Sequence, residues 1–167
     1  MKKTILAIIT LALFATGCKK TCETGYTGSS CTTEKTPTSM TITKIVVNGF
    51  DPTKTNGSYW DFSYGKADIY PNVYVGSLKI FDGATGYISS ANYQSAYTFY
   101  FTTPITISYP TSTYSVILND FDATSTDEVM GGLTFTPYTS GQKFPTTIQL
   151  TNPSTRISYT LSVTYNF

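Results

Sequence analysis

The last stretch of the chain, RISYTLSVTYNF, alternates polar and apolar side chains so that Ile157, Tyr159, Leu161, Val163, Tyr165 and Phe167 share one face. A period of two sustained over the whole stretch predicts a half-buried strand. The same alternation, or a short apolar run, recurs in MTITKIVV from Met40, VYVGSLKI (Val73–Ile80), YTFYF (Tyr97–Phe101), YSVIL (Tyr114–Leu118), LTF (Leu133–Phe135) and TIQL (Thr147–Leu150). Gly, Pro, Asn and Asp punctuate these runs. Seven or eight such strands predict an all-β antiparallel sandwich over residues 40–167, a span long enough to bury a core without further disulfides. No amphipathic helix is expected after residue 18. The composition agrees, with 14 Tyr, 10 Phe, 12 Gly and 8 Pro.

The pattern differs upstream. Lys2 and Lys3 precede the apolar run ILAIITLALF (Ile5–Phe14), and small residues follow in ATGC (Ala15–Cys18). A basic region, a short apolar region and a small-residue cleavage site form an export signal, and the run is short for a membrane span. Gly17–Cys18 resembles a bacterial lipobox, with Ala15 where that motif prefers Leu. The resemblance implies that residues 1–17 are removed and that Cys18 becomes the acylated (palmitate-bearing) first residue. Several acyl chains give stable anchorage, so the chain is expected on the bacterial cell envelope, lipid-anchored at the outer membrane. Residues 18–39, rich in Thr, Lys, Ser and Gly, read as a tether.

Within the tether, Cys22 and Cys31 frame CETGYTGSSC. An exported chain meets an oxidising compartment, so a disulfide between them is expected. The spacing resembles the C-terminal half of an EGF-like module, as a fragment, with Gly25 and Gly28 supplying turns; a plain disulfide loop reads equally well.

Charge and missing residue types narrow the function. The formal net charge is +1, which provides no basic field for nucleic acid. There is no histidine, which removes Ser-His-Asp and Cys-His catalysis and imidazole metal ligation. No G-x-S-x-G nucleophile motif occurs. A two-carboxylate glycosidase is the remaining enzymatic alternative, and a plain sandwich with short loops offers it little cleft. The protein is therefore not expected to be an enzyme.

The acids are unevenly placed. From Met40 onward all but Asp82 fall in two stretches: Asp51, Asp61 and Asp68 in the first, and Asp120, Asp122, Asp127 and Glu128 in the second, NDFDATSTDEVMGG. Carboxylates gathered at one end of a sandwich repel, and a hard divalent cation removes that repulsion. Calcium suits such a site because it accepts six to eight oxygens from flexible loops. The alternative is an Asx-turn hairpin with no ion.

The second stretch places an apolar strand before Asp120-Phe121-Asp122, a short turn, Glu128, then Val129-Met130-Gly131. It resembles the third calcium-binding loop of C2 domains, with Glu128 at the last Asp position and Asp127 as a neighbour. Asp68 before IYPNVYV resembles the family's Asp-Pro-Tyr-Val, with Ile for Pro, and Asp61 is preferred over Asp51 as its partner. The resemblance spans residues 40–167. It implies an eight-stranded antiparallel sandwich, calcium as cofactor, and Asp61, Asp68, Asp120, Asp122 and Glu128 as metal ligands. It further implies calcium-dependent binding of a lipid, glycan or protein at the loop end. Tyr59, Trp60, Phe62 and Tyr64 could dip into a membrane interface, stack on a sugar, or pack under the loop. The competing reading is a structural or adhesive sandwich with no metal.

Overall fold

The computed structural model describes residues 20–61 and 65–167. The expected export signal, the expected acylation site at Cys18, and Phe62 and Tyr64 lie outside the described residues. A small hairpin comes first, β1 (Tyr26–Thr27) with β2 (Thr33–Glu34). The sandwich follows as β3 (Ser39–Gly49), β4 (Ile69–Val75), β5 (Leu78–Asp82), β6 (Tyr97–Ile107), β7 (Tyr114–Asp120), β8 (Glu128–Phe135), β9 (Thr147–Thr151) and β10 (Ser158–Asn166). Two four-stranded antiparallel sheets result, ordered β6-β3-β10-β9 and β5-β4-β7-β8.

The sequence pattern explains the packing strand by strand. In β10, Tyr159, Leu161 and Val163 are buried as the alternation requires. In β3, Met40, Ile42, Ile45 and Val47 all point inward. Their spacing slips by one residue after Ile42, and the ladder absorbs the slip as register shifts against β6 at Ile42/Lys44 and against β10 at Ser162/Val163. An extra residue in one strand is what returns the apolar set to the core face. Val73, Val116 and Leu118 complete the core from the facing sheet.

Two strand readings are corrected. VYVGSLKI is not one strand but the end of β4, a two-residue turn at Gly76-Ser77, and the start of β5, with Val75 paired to Leu78. Gly76 has φ 56°, which suits the first position of a tight hairpin turn. The run YTFYF continues to Ile107, past Pro104. Pro104 is tolerated because β6 is an edge strand, where a missing N–H breaks no ladder bond on the free side.

β4 is buried on both faces from Ile69 to Val73. Its outer side is closed by the loop after β5, where the Gly83 amide donates to Asn72 Oδ1 at 3.0 Å. A Cβ on Gly83 would sit 2.3 Å from the Pro71 carbonyl oxygen, so the approach requires glycine.

Cys22 and Cys31 are disulfide-bonded. The segment read as a tether is docked on the sandwich rather than free. Phe144, in the loop before β9, meets Tyr26 edge-on at 5.5 Å and Phe167 at 4.8 Å. Glu34 accepts hydrogen bonds from Tyr138 Oη and from the amides of Gly141 and Lys143. The chain then enters β3 beside Asn166 at the C-terminal end of β10. The acidic stretches lie at the other end of β3, eleven residues or about 35 Å away.

Candidate functional site

Three connections bring the acids together: β3 to β4, β5 to β6, and β7 to β8. Asp120 is the last residue of β7 and sits opposite Ile69 of β4 and Glu128 of β8. The Asp68 amide donates to Asp120 Oδ1 at 2.6 Å, and the Phe121 amide returns to the Asp68 carbonyl at 2.7 Å. The Ser90 amide donates to Asp68 Oδ1 at 2.7 Å, so the β5–β6 connection also reaches the site. Phe121 stacks on Tyr87 with ring centroids 4.3 Å apart, a contact between this end of β7 and the β5–β6 connection.

Asp120 is fully buried, and its Oδ2 has no hydrogen-bond partner. Among the described residues the Tyr159 hydroxyl is the other buried side-chain atom left so. An unpaired hydroxyl in an apolar core costs less than an unpaired carboxylate oxygen, which carries charge. Burial pushes the Asp120 pKa up to about 7 against the lowering effect of the Asp68 amide, and the charges of Asp61, Asp122 and Asp68 add to the rise. Asp61 is also raised, by burial first and then by Asp68 and Asp122, while Lys54 works the other way.

The remaining acids separate into distinct roles. Glu128 is ion-paired with Lys54 of the first loop. Asp51 faces Arg156 at 3.6 Å, away from the others, which leaves Asp61 as the first-loop acid that feels Asp68 and Asp122. Asp127, read as a neighbour only, braces the turn: its Oδ1 accepts the Asp122 amide at 3.0 Å and its Oδ2 accepts the Tyr70 hydroxyl at 2.5 Å. Asp127 is thus satisfied by donors of the protein itself, although by an amide five residues back and a tyrosine hydroxyl rather than by the amide two residues on that an Asx-turn uses.

Calcium can be weighed against this geometry. For it stand the oxygen donors, their mutual repulsion and the orphaned buried oxygen of Asp120. Against it stands the spacing, since no three acids among the described residues are gathered into a group that could hold a metal ion. Lys54 is a cation already present at the site, and its pairing with Glu128 was not visible in the sequence because the two lie far apart along it. Of the aromatics, Trp60 is half-buried, its indole N–H donating to the Asp51 carbonyl at 2.8 Å, and Lys54 Nζ sits 5.8 Å from its ring centroid. Tyr59 is 44% exposed.

No family model matches the chain, and no curated relative matches it. Among solved structures it is similar to a C2 domain at 13% identity and TM-score 0.50, over 77% of this chain and 98% of that one. It is also similar to human GIVD cytosolic phospholipase A2, at 10% identity, TM-score 0.44 and 75% of this chain. Extended-Synaptotagmin 2 matches at 16% identity, TM-score 0.45 and 77% of this chain. The chain spans 16% of that phospholipase and 27% of that synaptotagmin. At such identities the likeness is one of fold: the chain is a C2-like antiparallel β-sandwich, with Asp61, Asp68, Asp120, Asp122 and Glu128 at loops and strand ends on one end.

Proposed function

We propose that the protein is an exported, Cys18-acylated envelope lipoprotein whose C2-like module binds calcium at the acidic loop end and, through it, a lipid, glycan or protein. The observation that supports this best is Asp120, a buried carboxylate with one oxygen unpartnered and three further acids raising its pKa. Asp61, Asp68, Asp120, Asp122 and Glu128 would hold the ion, with Lys54 releasing Glu128. The ion would supply positive charge, offsetting the repulsion among them.

The docked disulfide hairpin favours one orientation. It fixes the chain's entry at the end of the sandwich away from the acids, so an anchor at Cys18 would leave the acidic loops facing outward from the anchoring membrane. The partner is then expected beyond that surface. No catalytic role is proposed.

A structural or adhesive sandwich without metal is the second reading. The Lys54–Glu128 pair and the Asp127 brace favour it, since both neutralise or satisfy loop acids without an ion. Thermal unfolding in millimolar calcium and in chelator separates the two, because a ligand of the native state alone raises its stability. The proposal expects a higher midpoint in calcium and none of that rise in an Asp120→Asn, Asp122→Asn double variant. An unchanged wild-type midpoint would leave the metal-free reading. Acyl labelling of the wild type, absent in Cys18→Ser, tests the anchor.

A further inference from the structure

On the flank of the acidic end, between the first loop and the segment leading into β6, lies a cavity of about 220 Å³. Its depth is apolar, made by the buried Phe50, Ala67 and Ala91. Trp60 and Tyr93 add aromatic surface, and the exposed Lys66 and Gln94 bring polar groups to its mouth.

Both walls are fastened. The Trp60 indole is tied to the Asp51 carbonyl, and the Ala91 amide donates to the Ala67 carbonyl at 2.8 Å. The Asn92 amide donates to Tyr97 Oη at 2.5 Å, and the Gln94 amide to Asn92 Oδ1 at 3.1 Å. A pocket held this way exists before its ligand arrives, which lowers the ordering cost of binding. The side chains of Lys66 and Gln94 make no ion pair or hydrogen bond among the described residues, so their donors are available.

We propose that this cavity binds a single neutral sugar ring of a glycan. Its size suits one ring rather than a drug-sized ligand or a lipid chain. Aromatic surface beside amide and ammonium donors matches a pyranose, which has an apolar C–H face and a girdle of hydroxyls. The negative charge of the adjoining Asp61 and Asp68 disfavours phosphate and carboxylate ligands, and Lys66 alone does not offset it. The inference takes the glycan from the proposed function but gives it a cavity of its own that needs no ion, in place of one reached through calcium, so the two readings fail separately.

Trp60 is the single tryptophan of the chain, so its emission reports on this cavity. The folded protein is titrated with methyl glycosides of glucose, galactose, mannose, N-acetylglucosamine and glucuronic acid, in chelator and in calcium. The expected result is a saturable emission change with at least one neutral glycoside, with a dissociation constant on the order of millimolar. Lys66→Ala and Gln94→Ala, both at exposed positions, should each weaken it by about fivefold, the worth of one hydrogen bond. The proposal is overturned if no neutral glycoside saturates, if glucuronide or phosphatidylglycerol vesicles alone respond, or if both variants bind like wild type.

Discussion

Asp68 and Asp120 clasp one another across the end of the β4–β7 ladder. The amide of the first donates to Oδ1 of the second at 2.6 Å, while the Asp68 carbonyl receives the amide of Phe121 at 2.7 Å. The exchange ties the first and last acidic loops together and fixes the Asp120 carboxyl in the protein interior. One oxygen is satisfied, and the other is left for a proton or a cation.

This arrangement sets a pH dependence. An acid whose folded pKa is raised to about 7, above its ordinary value near 4, binds its proton more tightly in the native state. Native-state stability in chelator therefore falls as pH rises from about 4 to about 7, and levels off above that. Asp61, also raised, acts in the same direction, while Glu34 and Asp82, which are lowered, titrate at more acid pH. Asp120→Asn keeps an acceptor for the Asp68 amide and removes the buried charge. Urea unfolding in chelator should find it more stable than wild type by about 1–3 kcal/mol at pH 8 and about equal to it at pH 5.

Lys54 acts as a tethered cation at the same end. It pairs with Glu128, lies over Trp60 and counters the rise in the Asp61 pKa. Lys54→Met should lower stability in chelator by about 0.2–1 kcal/mol, as expected of a partly exposed pair. It should also tighten calcium binding several-fold by calorimetric titration, because Glu128 no longer has to be released. Weaker calcium binding in the variant would show that Lys54 supports the site rather than competing for it.

The hairpin dock has its own weak point at Gly25. Its φ is 90°, and an added Cβ would fall 2.5 Å from Phe144 and 2.7 Å from Phe167. Gly25→Ala should strain the backbone and push the two rings away, undocking the disulfide hairpin while the sandwich stays folded. Hydrogen exchange is the check. The Lys35 amide, bonded to the Gly25 carbonyl, should lose protection, and amides of β3 and β10 should keep theirs.

Much of the fold could be read from period-two alternation, and β10 is the clearest case. The β4–β5 hairpin could not, because Val73–Ile80 has apolar residues on both sides of a turn marked by one glycine. The bulge in β3 was present as the uneven spacing of Met40, Ile42, Ile45 and Val47, a pattern that gains meaning when strand partners are known. The acids were conspicuous as a group, but their individual roles depended on partners distant along the chain: Lys54 for Glu128, Tyr70 for Asp127, Arg156 for Asp51. Docking of the Cys22–Cys31 segment through Phe144 had no local signal, since an isolated Phe in a Gly- and Pro-rich loop carries no periodicity.

The carboxyl carbon of Asp120, followed by NMR through a pH titration with and without calcium, reads the buried oxygen itself. With chelator, its midpoint should lie near 7. With millimolar calcium, a bound cation favours the ionised form, and the midpoint should fall below about 5. A midpoint that stays near 7 in calcium would mean that Asp120 holds a proton and not an ion, and that the acidic end of the sandwich works without metal.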